Sequence, residues 1–94
     1  MPACRIHISV AGRVVRVRAR RGGGWRVRLA DTGGALAAAD IHPSNPVPPP
    51  PVGARIVLCG AIHFDEEHGW YVVDPVEKWI DVRAARSAVR EVLQ

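Results

Sequence analysis

Hydrophobic and polar positions alternate over much of the N-terminal half of the chain. Ile6, Ile8 and Val10 stand at even positions. Beyond Gly12 the apolar set moves to odd positions, Val15, Val17 and Ala19, with Arg16, Arg18 and Arg20 between them. A period of two marks a strand buried on one face. The one-residue change of parity predicts a bulge at Gly12, the device by which a long strand turns a barrel corner. Arg21-Gly22-Gly23-Gly24 reads as a turn, and Trp25, Val27 and Leu29, alternating with Arg26 and Arg28, as a second strand. Asp31-Thr32-Gly33-Gly34 is the next turn, followed by a weaker third strand from Ala35 to Ile41. Residues 43–52 hold six prolines and predict an extended connector without regular hydrogen bonding. Its four consecutive prolines favour polyproline II. A fourth strand runs from Arg55 to Phe64 with Gly60 at a bend, Asp65 to Gly69 is a loop, and Trp70 to Val73 is a short fifth strand ended by Pro75. Asp81 can cap a helix over about residues 82–93, with Val82, Ala85, Val89 and Val92 on one face.

The sum is an all-β domain with a C-terminal helix: a five-stranded antiparallel Greek-key barrel over about residues 5–80, in a single domain spanning 1–94. Ile8, Val10, Val27, Leu29, Ile56 and Leu58 are the expected core. The stretches Val10-Ala11-Gly12-Arg13-Val14, Trp25 to Gly34 with its Asp-x-x-Gly turn, and Gly53 to Gly60 carry a resemblance to an OB-fold, the oligonucleotide/oligosaccharide-binding barrel. The segment from His68 to Val76 is similar to the fifth strand of small uncharacterised bacterial OB-fold proteins, with their His-Gly-Trp and Pro-Val pattern. The chain departs from the family where a helix usually joins strands three and four; here the Pro-rich stretch stands instead, which leaves the C-terminal helix to plug the barrel. An SH3-like barrel is the alternative fold.

Charge changes the picture. Twelve of the thirteen basic residues are arginine, and residues 1–47 carry eight of them against Asp31 and Asp40. The second half is net acidic. A GC-rich genome explains arginine in place of lysine, but not its concentration between Arg13 and Arg28. In adjacent antiparallel strands Arg16, Arg18, Arg20, Arg26 and Arg28 share one outward face, with no carboxylate among them. Such a face is the electrostatic footprint of an anionic partner. The OB-fold resemblance implies single-stranded nucleic acid, bound across strands two and three and their loops. Arginine there would neutralise phosphates and stack on bases. Replacing Arg26 and Arg28 by alanine would then weaken binding and change stability little. Stacking needs exposed aromatic rings, and alternation makes Tyr71 the outward candidate if Trp70 packs inward with Val72.

The remaining chemistry is thin. The run from His63 to His68 holds two histidines and three acids, and reads as a solvated acidic turn rather than a metal site. Cys4 and Cys59 form no CxxC. They fall on neighbouring strands of an OB barrel and read as small buried thiols, with no disulfide scaffold indicated. Arg28-Leu29-Ala30-Asp31-Thr32 is faintly similar to a strand of staphylococcal-type nucleases, but Gly33-Gly34 replaces their Pro-Glu, and the catalytic glutamate is missing. No enzyme, cofactor or metal is expected. No apolar run approaches the ~20 residues of a membrane span, and no signal peptide is recognisable, so the cytoplasm is the expected compartment. Two functions remain: a non-catalytic module that binds nucleic acid, preferably single-stranded DNA or RNA, and a protein-interaction or assembly module using the Pro-rich loop and C-terminal helix.

Overall fold

The computed structural model describes residues 8–67 and 69–83. Five strands, β1 (Ile8–Ala19), β2 (Trp25–Ala30), β3 (Leu36–Ile41), β4 (Arg55–Asp65) and β5 (Trp70–Asp81), close into a barrel in the order β1-β2-β3-β5-β4. The long β1 serves two neighbours. Ile8 to Arg13 pair with β4, Arg13 to Ala19 pair with β2, and Arg13 sits opposite both Arg55 and Ala30. All pairings are antiparallel except β3 with β5, which is parallel. The expected all-antiparallel barrel is thereby corrected, for a reason of counting. Strand directions cannot alternate around a closed ring of five, so at least one neighbouring pair must run the same way. The expected helix over about 82–93 lies outside the described residues beyond Arg83. Asp81 ends β5, and its Oδ1 accepts the Arg83 backbone N–H at 2.8 Å, the contact that a helix N-cap makes.

Inward positions meet in one apolar cluster of Val14, Val27, Leu29, Ala39, Ile41, Ile56, Leu58, Val73 and Val76. Of the expected core, Val27, Leu29, Ile56 and Leu58 are buried and Val10 packs at the margin; the side chain of Ile8 lies outside the described residues. Even parity continues through Gly12, which pairs in register with Ile56, to the fully buried Val14. The register shift falls between Val14 and Arg16, so the extra residue is Val15, and the expected bulge at Gly12 is displaced by three residues. β1 thus bulges just after it exchanges β4 for β2. Gly12 has a different use: a Cβ there would stand 2.9 Å from the Ala30 carbonyl oxygen, where β1 crosses the end of β2.

The bend at Gly60 is where the sequence places it, with register shifts on both sides. A Cβ on Gly60 would collide with the Pro75 carbonyl oxygen, so only glycine lets β4 and β5 approach there. Pro75 does not end the fifth strand. Register passes from Val73 to Val76 with Asp74 and Pro75 unpaired, so the missing proline N–H falls in the interruption, and β5 continues to Asp81.

The connector over residues 43–52 has no strand or helix, and it is tied to the barrel rather than loose. Asn45 Nδ2 donates to the carbonyls of Val76 and Glu77 at 3.1 and 3.2 Å, Trp79 Nε1 donates to the Pro48 carbonyl at 2.6 Å, and Val47 packs against the core. Cys59 is buried and disulfide-bonded, which overturns the reading as a free thiol. Cys4, the other cysteine of the chain, lies outside the described residues. Disulfides persist mainly in oxidising compartments, whereas the sequence pointed to the cytoplasm. No helix among the described residues is long and apolar enough to cross a membrane.

Candidate functional site

The arginine face is built on the β1–β2 hairpin. Its turn carries three glycines, Gly22, Gly23 and Gly24, with φ of +89°, +105° and +81°, a conformation that side chains with a Cβ rarely adopt. Arg20 N–H donates to the Gly24 carbonyl and Gly23 N–H to the Arg20 carbonyl, both at 3.1 Å. A Cβ on Gly24 would collide with the Ile41 carbonyl oxygen, so the turn also lies close against β3.

From this turn the register runs Arg18 opposite Arg26 and Arg16 opposite Arg28. The Val15 bulge sets this parity. With Val14 in the core and one residue added, Arg16 and Arg18 project outward beside Arg26 and Arg28. These four side chains line a shallow groove of about 140 Å³. Like charges directly opposite on neighbouring strands destabilise a sheet unless they are compensated.

One carboxylate does enter the face, contrary to the sequence reading. Arg26 is flanked on its other side by Asp40 of β3. Asp40 is buried, and it receives Arg26 Nε on Oδ1 at 2.7 Å and Arg26 Nη2 on Oδ2 at 2.8 Å, the two-pronged geometry of a strong guanidinium–carboxylate pair. Arg20 Nη1 stands 3.4 Å from the same Oδ2. The hydrogen bonds to Asp40 raise the Arg26 pKa above its ordinary value against the opposing effect of desolvation, and the charges of Asp40, Asp65 and Asp74 add to the rise. Arg26 is half-buried, so it does not simply face solvent, and the expectation that its removal changes stability little is withdrawn. Arg20, beyond the end of β1, joins this acid pair rather than the groove. Neither Arg16 nor Arg18 is paired with an acid among the described residues.

Tyr71 is not part of the groove. It lies on β5, with β3 between that strand and β2, and it shares the parity of the core residue Val73. Val72, expected inside beside Trp70, is buried outside the core cluster; the Trp70 side chain lies outside the described residues. Tyr71 is nonetheless 61% exposed, and among the described residues the β4–β5 hairpin continues beyond Gly60, the last β4 residue paired with β1. Opposite it stands Phe64, ring to ring at 5.1 Å in an edge-on arrangement, with the exposed Ile62 nearby on β4. Phe64 was not singled out from sequence. Its signal was the placement of an aromatic one residue before the loop, at a position that pairs with Tyr71 once the hairpin closes.

The acidic loop makes turns. Asp65 Oδ1 accepts the Glu67 N–H at 3.0 Å and the Asp65 carbonyl accepts the Gly69 N–H at 2.7 Å; His68 lies outside the described residues. Asp31 does similar work after β2, its Oδ1 taking the N–H groups of Gly33 and Ala35 at 2.9 and 2.8 Å. Neither a comparison with known protein families nor one with curated proteins finds a match for this chain.

Proposed function

We propose that the protein is a non-catalytic OB-fold module that binds single-stranded nucleic acid through the arginine groove of β1 and β2. The observation that carries this reading is the direct opposition of Arg16 to Arg28 and Arg18 to Arg26, four guanidiniums lining one groove. The exposed guanidiniums of Arg16 and Arg18 beside the groove favour a polyanion. The placing of β1 between β2 and β4 in a closed five-stranded barrel supports the OB-fold. The Arg26–Asp40 pair orients one wall of the groove, while Arg16 and Arg18 supply charge to phosphates. Tyr71 and Phe64, outside the groove, are exposed rings on which unstacked bases can lie. Phosphate contacts position the ligand without reading sequence.

The test is fluorescence anisotropy with single-stranded DNA, single-stranded RNA and duplex at rising salt. Binding to single strands should fall with a slope of about 0.7 per phosphate contacted. A parent protein that binds none of them at low salt refutes the reading. A protein contact is the second reading, and its specific support is the exposed apolar trio Ile62, Phe64 and Tyr71. The Pro-rich connector supports it less, since its Pro48 carbonyl is already taken by Trp79.

A further inference from the structure

Arg13 has an odd number, opposite in parity to Arg16 and Arg18. The bulge removes the contradiction. Before Val15 the outward residues of β1 are Ser9, Ala11 and Arg13, all exposed; after it they are Arg16 and Arg18. Val14 between Arg13 and the bulge is fully buried, so Arg13 and Arg16 project from the same side of the sheet. Across the β1–β4 pairing Arg13 stands opposite Arg55, which is exposed while its neighbour Ile56 is in the core. A cleft of about 710 Å³ opens there, lined by Arg13, Arg55 and Arg83 and floored by the turn at Gly53 and Ala54. Among the described residues Asp81 is its one lining carboxylate, and one oxygen of it is held by the Arg83 backbone N–H. Three guanidiniums against one carboxylate leave the cleft cationic. Its floor is fixed, since Gly53 N–H donates to the Val14 carbonyl and Val14 N–H to the Ala54 carbonyl, each at 2.8 Å.

We infer that the anion-binding face does not end at Arg16 but crosses β1 onto β4, so that Arg13, Arg55 and Arg83 hold a second stretch of the backbone of the same single strand. This rests on the nucleic-acid reading and extends its path. From Arg18 to Arg13 the face covers about 16 Å at ~3.3 Å per residue, too long for the shortest oligomers to contact throughout. A strand that reaches the cleft gains phosphate contacts that a strand confined to the β1–β2 groove lacks.

The experiment compares the salt-dependent affinities of oligothymidylates of about 4 and about 16 nucleotides, the span of site sizes for single barrels of this kind. The parent, the double variant Arg13→Ala/Arg55→Ala and the charge-conserving Arg13→Lys/Arg55→Lys are measured side by side, with thermal melting to confirm that each is folded. The advantage of the longer oligomer over the shorter should shrink about tenfold in the alanine variant, its salt slope should drop by about 1.4 for two lost phosphates, and the lysine variant should retain both. If the parent binds the long oligomer and the alanine variant keeps the parent's length advantage and slope, the extension is wrong while the groove reading stands. An equal loss for both lengths also overturns it, since that marks a general field rather than a second contact. A parent that binds neither oligomer ends both readings.

Discussion

Two arginines of the same hairpin, Arg26 and Arg18, stand directly opposite each other and lead different lives. Arg18 is exposed on β1 and has no acid beside it among the described residues. Arg26 is half-buried on β2 and locked to Asp40 through two hydrogen bonds below 3 Å. The difference comes from their neighbours. β2 lies between β1 and β3, so Arg26 meets a residue on each side, and on the β3 side that residue is a carboxylate. A cluster of like charges in sequence therefore divides into a part that stabilises the barrel and a part that the barrel tolerates. That division separates the residues whose loss should unfold the protein from those whose loss should only weaken binding.

The sharpest way to break the comparison is to remove the acid. Arg26→Ala leaves the buried Asp40 carboxylate with only Arg20 at 3.4 Å, and Asp40→Ala leaves a half-buried guanidinium without its acid; the first should cost about 3 kcal/mol in urea-induced unfolding, as a broken buried pair does, and the second somewhat less. If either melts like the parent, Arg26 is no different from Arg18. Next comes the turn that holds the two strands in register. Gly24→Ala forces a Cβ into a positive-φ position against the Ile41 carbonyl and should destabilise by about 2 kcal/mol, whereas Gly22→Ala, at a similar φ but in open space, should cost less. Equal losses would mean that contact with β3 is unimportant. A smaller effect is expected away from both arginines: Tyr71→Ala should reduce affinity for single strands by about 1 kcal/mol with little change for duplex, measured by anisotropy. Smallest of all is the stability change on Arg16→Thr/Arg18→Thr. Removing exposed β1 charges that face like charges on β2 should shift unfolding by no more than about 0.5 kcal/mol, in the stabilising direction if at all. The same variant should lower the salt slope of binding by about 1.4. A marked loss of stability there would show that Arg16 and Arg18 are structural too.

Much of the barrel was legible in the chain. Trp25, Val27 and Leu29 alternating with arginine, the Asp31 turn, the glycine turn and Gly60 all lie in their expected elements, because side-chain parity and turn chemistry are local properties of a few residues. Four of the five arginines meet as expected for the same reason. What failed was less local. The bulge was assigned to Gly12 because glycine often marks one, but Val14-Val15, two valines in succession, were the actual sign of the added residue. Ending the fifth strand at Pro75 follows a sound rule for central strands, yet the register shifts opposite Gly60 leave Asp74 and Pro75 unpaired on β5, and a proline can sit inside such an interruption.

By itself the sequence determined five strands, where they turn, and that arginine alternates with valine on two of them. The antiparallel reading missed the parallel pair that a closed ring of five strands must contain. Only the tertiary structure decided which pair that is, that Asp40 closes on Arg26, that Arg13 and Arg55 join the face beyond the bulge, and that Tyr71 finds Phe64. Each of these is a meeting between residues of different strands. Such meetings depend on register and strand order, which the whole barrel sets at once when it closes around its core, so no stretch of a few residues encodes them.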